Sequence, residues 1–132
     1  MKKKYSTKII AKDLEALKVI SACCFEAKVK ISGLKYLEKN KIFLISLNRS
    51  KIEDNKAKKK TYSVCKFDFI DKVKSKNIDQ NNKDLVLELL SIDLLKNKGK
   101  FEINLIFSKL ANIALETEII EVTLEDQNNN VD

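Results

Sequence analysis

The stretch KFEINLIFSKLANIALETEIIEVTLED, residues 100–126, decides how the rest of this chain must fold. Phe101, Ile103, Leu105 and Phe107 alternate with Lys100, Glu102, Asn104 and Ile106, so a strand there has one apolar face and one largely wet face. After a break at Ser108 to Asn112, Ile113, Leu115 and Thr117 alternate with Ala114, Glu116 and Glu118. The two segments pair as an antiparallel hairpin. The period then changes. Ile119, Ile120, Thr123 and Leu124 are spaced as one stripe of a short helix, with Thr117 as its N-cap and acids in its first turn. A hairpin followed directly by a helix has to fold that helix back over the sheet.

Working outward, 132 residues of 44% hydrophobic content can close one core, and no Pro/Gly/Ser linker divides them. The expectation is a single domain over 1–132, with 127–132 as a disordered tail. No apolar run approaches the roughly 18 residues that span a bilayer. Lys2 to Lys4 imitate the charged start of a signal peptide, but no continuous apolar segment follows them, and three cysteines make an odd number for a disulfide framework. A reducing cytoplasm is the expected location.

Lys, Asn and Ile make up 52 of the 132 residues, a bias that an AT-rich genome produces by itself, so the net charge of +7 is partly inherited. Its distribution says more. Residues 1–60 carry 17 basic and 6 acidic side chains, whereas residues 100–132 carry 2 basic and 7 acidic ones. Complementary ends of this kind suit an anionic partner for the basic half, or attraction between the two ends within a monomer or across a dimer.

From the N-terminus, Thr7 to Ala11 reads as a short strand, and Asp13 caps a helix over Asp13 to Ala27 with Leu14, Leu17, Ile20, Ser21, Cys24 and Phe25 in its stripe. Cys23 and Cys24 are adjacent and so point about 100° apart on a helix, one inward and one partly exposed. With no His in the chain and only Cys65 besides, no zinc spacing exists, and the cysteines read as packing residues. Val29 and Ile31, then Leu34 to Leu37, are short strands. Ile42 to Leu47 is a nearly continuous apolar run, expected to be central and buried on both faces. Thr61 to Phe69 is a strand with Ser63, Cys65, Phe67 and Phe69 on one face, and a bulge or bend near Phe69 to Asp71 lets Val73 continue the apolar face. Asp84 to Leu95 reads as a long strand, helix being the competing reading, and Asn97 to Lys100 with Gly99 is a hairpin turn.

Two places are candidates for binding. Ser50 to Lys60 reads as a charged loop whose Lys56, Lys58, Lys59 and Lys60 suit a phosphate-contacting finger or, more simply, a solvated loop, since no aromatic residues interleave with them. Arg49 is the only arginine among 26 basic residues, which marks a position where a planar guanidinium is required, either for a structural carboxylate or for a ligand anion. Asn48 beside it is a ligand contact or a strand-end cap.

The residues carry a resemblance. Ile20-Ser21-Ala22, Tyr36-Leu37, Leu47-Asn48-Arg49, Phe67-Asp68 with Ile78-Asp79, Leu87 with Leu89-Leu90, and above all Ile113 to Asp126 resemble an uncharacterised family of small alphaproteobacterial proteins, a domain of unknown function. The likeness covers nearly the whole chain and implies a core pattern without implying an activity. Where the family pattern has Gly before the Ile-Asp pair this chain has Asn77, and the glycine-rich turn of the last hairpin is Ser108 to Asn112.

The chemistry available is sparse. Without His the commonest general base is missing, and Gly33 and Gly99, the only glycines, exclude both the dinucleotide fingerprint and the P-loop. The expected fold is α+β: a mostly antiparallel sheet of 7–8 strands, curved or partly closed as a barrel, with the N-terminal helix packed on it and a short C-terminal helix. That arrangement is pleckstrin-homology-like by analogy. The expected function is a non-catalytic cytoplasmic binding or assembly module of bacterial type that needs no cofactor. Its expected partners are another protein or a second copy of the chain. The alternatives are a basic face for nucleic acid or an anionic membrane surface and, further off, an enzyme.

Overall fold

In the computed structural model, which describes residues 8–52 and 58–127, one helix and ten strands follow the hydrophobic pattern closely. They are β1 (Lys8–Ala11), α1 (Leu14–Cys23), β2 (Ala27–Lys30), β3 (Leu34–Leu37), β4 (Ile42–Ile52) and β5 (Lys58–Phe67). Then come β6 (Ile70–Lys76), β7 (Val86–Asn97), β8 (Lys100–Phe107), β9 (Asn112–Thr117) and β10 (Val122–Asp126). All ladders are antiparallel, in the order β1-β10-β5-β4-β2-β7-β8-β9-β6, with β3 paired to the first half of β4.

The β8–β9 hairpin forms as its alternation requires. Ile103, Leu105 and Phe107 are buried on β8 and Ile113, Leu115 and Thr117 on β9, with Leu105 opposite Ile113. Its turn is made without glycine: the Phe107 amide donates to the Ala111 carbonyl at 2.9 Å, and in the three-residue connection between them Lys109 and Leu110 both take positive φ, 61° and 60°. The β7–β8 turn uses Lys98 at φ 51° and Gly99 at φ 81° in the same way. On β7 a bulge between Leu89 and Ser91 shifts the register, so that Leu87 and Leu89 are buried before it and Ile92 after it. That bulge is where α1 attaches. Ser21 accepts a bond from the Ile92 amide at 2.9 Å, and Leu17 and Ile20 complete the buried stripe. Asp13 caps the helix by accepting from the Ala16 amide at 2.9 Å.

Three expectations need correction. The sheet has ten strands rather than 7–8, and of the two expected forms it takes the curved one, not the partly closed barrel. The run Ile42–Leu47 is interior to the sheet but alternates: Phe43, Ile45 and Leu47 are buried, Leu44 is half-buried and Ser46 is exposed. The expected C-terminal helix is the strand β10, on which Val122, Leu124 and Asp126 face inward. It lies between β1 and β5 and satisfies its backbone on both edges, which a lone short helix cannot match. Thr117, read as that helix's N-cap, instead caps the turn into β10. Its hydroxyl accepts the Ile119 amide at 3.1 Å and contacts the Phe69 and Ile119 carbonyls at 2.7 and 2.6 Å.

Candidate functional site: a cleft between two strand edges

The sheet curls until β6, its last strand, stands opposite β3, and no ladder joins them. What keeps the two apart is local. The backbone turns sharply at Phe69, at φ 62°, so Ile70 leaves the line of β5 and becomes fully buried. At this end the edges are clasped. The Ile70 amide donates to the Lys41 carbonyl at 2.8 Å, the Tyr36 hydroxyl donates to the Ile70 carbonyl at 2.7 Å, and the Lys41 ammonium meets Asp71 at 3.0 Å. Burial, and after it the charge of Glu38, raises the Tyr36 phenol above its ordinary value.

At the other end the connection from β6 to β7 crosses the gap. Asn77 turns it at φ 59°, a conformation Asn tolerates, and its side-chain amide donates to the Leu110 carbonyl at 2.9 Å. The Ile31 and Ser32 amides then donate to the Leu85 and Lys83 carbonyls at 3.0 and 3.3 Å. The gap is therefore framed on four sides.

Inside the frame is a hollow of about 420 Å³. Its inner wall is Phe43 of β4 and Ile113 of β9, both buried, and its sides are Leu34 and Tyr36 of β3 and Val73 of β6. The polar residues that line it are Ser32, Ser75, Gln80, Lys35 and Lys83, the two lysines being exposed. Among the described residues no carboxylate lines it. A concave apolar surface with a few convergent polar groups is the usual form of a small-molecule site. A second hollow of about 390 Å³ lies between the start of α1 and the β7–β8 hairpin, on Leu14, Leu94, Phe101 and Ile120.

The residues singled out from the sequence lie elsewhere. Arg49 is 5% exposed on β4 and donates through Nε to the Ser63 hydroxyl at 3.0 Å and through Nη2 to Asp126 Oδ1 at 2.9 Å. The Ser63 hydroxyl in turn donates to Asp126 Oδ1 at 2.8 Å. Arg49 is thus in a buried ion pair that ties β4, β5 and β10 together. Asn48, half-buried, stands opposite Lys28 and Tyr62, and its Oδ1 is a buried acceptor with no hydrogen-bond partner among the described residues. Ser50 to Lys60, read as a loop, begins and ends as a ribbon of paired strand: Lys60 faces Ser50, Lys59 faces Lys51 and Lys58 faces Ile52. Lys56 lies outside the described residues.

Lys35, Tyr36 and Lys83 were not singled out as binding residues. Their signal is faint, because each sits on a short strand or connection and only the return of β6 to β3 brings them together. Cys24 and Cys65 are buried and Cys23 is half-exposed, as the helix spacing requires. Burial pushes the Cys24 thiol up to about 12 and the Cys65 thiol well above its usual value. Among the described residues no group of three His, Cys, Asp or Glu is arranged to hold a metal ion, and no helix is long and apolar enough to cross a membrane.

Comparison with known proteins adds a family. Residues 7–132 match the model of a family described as "Protein of unknown function (DUF2948)". No curated protein and no solved structure matches the chain.

Proposed function

We propose, from the premise that this chain belongs to the DUF2948 family of proteins of unknown function, that it is a non-catalytic binding module whose site is the β3–β6 cleft. The observation that carries this is the framed hollow of about 420 Å³ between two strand edges left without a ladder partner. A sheet that curls this far gains hydrogen bonds by closing, and the edges held apart here expose an apolar wall instead. The rest of the chemistry favours binding over turnover. There is no His, and burial holds the Cys24 and Cys65 thiols protonated at neutral pH. An amide NMR spectrum of the ¹⁵N-labelled chain, recorded against a mixture of small apolar fragments, tests the reading. Shifts should cluster at Ser32, Tyr36, Val73 and Ile78. Shifts confined to other surfaces, or none at millimolar fragment, refute it.

A second reading keeps the basic half as a face for nucleic acid or an anionic membrane surface. Beyond Asn48 and Ser63, and past the Gln127 amide that donates to the Tyr62 carbonyl at 2.8 Å, the β4–β5 ribbon has no ladder except its own among the described residues, and its register sets Lys51 against Lys59 with no acid between Arg49 and Ile52 or between Lys58 and Tyr62. A run of basic residues on such a ribbon is the electrostatic footprint of an anionic partner. Binding of a fluorescent oligonucleotide or of anionic vesicles should then fall steeply with salt, and no association in low salt removes this reading.

A further inference from the structure

Resting on the reading of the cleft as the binding site, we infer that its ligand is a compact amphiphilic anion: one carboxylate-like head on an unbranched or aromatic apolar body of about ten heavy atoms. The frame sets the size. With the Tyr36–Ile70 bond at one end and the Ser32–Lys83 bond at the other, an extended polymer has no way through, whereas a body inserted head-outward fits. The hollow of about 420 Å³ corresponds, at roughly 30 Å³ per heavy atom, to about fourteen such atoms.

The charge pattern sets the head. Among the described residues the charged ones lining the hollow are both lysines, Lys35 from the β3 side and Lys83 from the far end, and the neutral polar ones, Ser32, Ser75 and Gln80, can all donate a hydrogen bond. Two of the neighbouring acids have partners outside the hollow. Asp71 is held by Lys41 at the clasped end, and Asp79 accepts the Asn81 amide at 3.0 Å. A neutral ligand would leave Lys35 and Lys83 with nothing to answer, and a cationic one would meet them as repulsion. The tail then lies against Leu34, Tyr36, Phe43, Val73 and Ile113, with its head between the two ammonium groups.

Titration calorimetry and amide NMR with three probes of equal tail, decanoate, decanol and decyltrimethylammonium, test this on the full chain at low salt. Decanoate should bind one molecule per chain, decanol roughly fivefold to tenfold more weakly, and the cation more weakly still. The Lys35→Gln/Lys83→Gln variant should bring decanoate down to the level of decanol. A Lys98→Gln/Lys100→Gln variant, which removes the same charge at the distant β7–β8 turn, should leave decanoate binding unchanged. Equal binding of decanoate and decanol, insensitive to Lys35 and Lys83, overturns the anionic head while the cleft remains a site. Failure of all three probes to move any cleft amide overturns the cleft itself. Binding of phosphatidylglycerol vesicles without any binding of decanoate assigns the two cations to a lipid surface and overturns the free amphiphile.

Discussion

Replacing Asp126 by Ala strips the principal carboxylate from a guanidinium that is only 5% exposed. In the intact chain Arg49 donates to Ser63 and to Asp126, and Ser63 donates to the same Asp126 oxygen, so one carboxylate answers two buried donors. Its removal leaves a buried cation without its counter-charge, which typically costs about 3–5 kcal/mol. At roughly 3 °C per kcal/mol for a chain of this size, the melting temperature should fall by about 10–15 °C. The companion variant Arg49→Met/Ser63→Ala/Asp126→Leu removes these three polar side chains together and refills their volume with apolar atoms. It should lie within about 1 kcal/mol of the parent, because the desolvation cost disappears with the charges. Urea unfolding followed by far-ultraviolet circular dichroism measures both. A loss below about 1 kcal/mol for Asp126→Ala at unchanged m-value, or a triple variant as damaged as the single one, would refute the reasoning.

Other outcomes follow from the same structure. A maleimide at pH 7 should label Cys23 alone in the folded chain and all three cysteines in urea, since Cys24 and Cys65 are buried with raised thiol values; rapid labelling of more than one would contradict it. Lys109→Asn/Leu110→Gly should raise the urea midpoint by an amount equivalent to about 1 kcal/mol, because two side chains now hold φ 61° and 60°. A lowered midpoint would show that this turn carries no strain. In the clasp, folding raises the values of Tyr36 (ordinarily 10.0) and Lys41 (ordinarily 10.5), so its stabilisation is fully present below those values. It is lost as pH rises through the higher folded values. Stability should therefore drop as the pH rises above about 10, with a smaller drop in Tyr36→Phe; equal slopes for parent and variant would exclude the phenol.

Much of the architecture could be read directly because period and burial agree. The alternation of Phe101 to Phe107 and of Ile113 to Thr117 is the observed hairpin, and Asp13 caps α1. The bend at Phe69 was visible where Ile70 broke the alternation of β5, and it is a positive-φ corner. The error lay at Glu118 to Asp126. Ile119, Ile120, Thr123 and Leu124 fit a helical stripe, but Ile120, Val122 and Leu124 fit an alternation equally well, and they are the buried ones. Only tertiary pairing with β1 and β5 decides between them. The same error hid the partner of Arg49, since Asp126 lay in the supposed helix 77 residues away. With the helix gone, the pleckstrin-homology comparison loses the feature it rested on. The cleft was illegible for a related reason: Leu34, Tyr36 and Val73 show only as apolar positions on short strands, and nothing in their spacing says that β6 returns to β3 without pairing to it.

The chain contains no tryptophan, so Ser75→Trp places a single reporter at the rim of the cleft. Titrated with a bromodecanoate, whose bromine quenches indole on contact, this variant should lose fluorescence in a saturable manner with one ligand per chain. The control Tyr62→Trp, exposed on β5 and away from the cleft, should keep its emission. A folded Ser75→Trp chain that stays bright throughout the titration, or equal quenching of both reporters, would contradict the account of the cleft as the binding site.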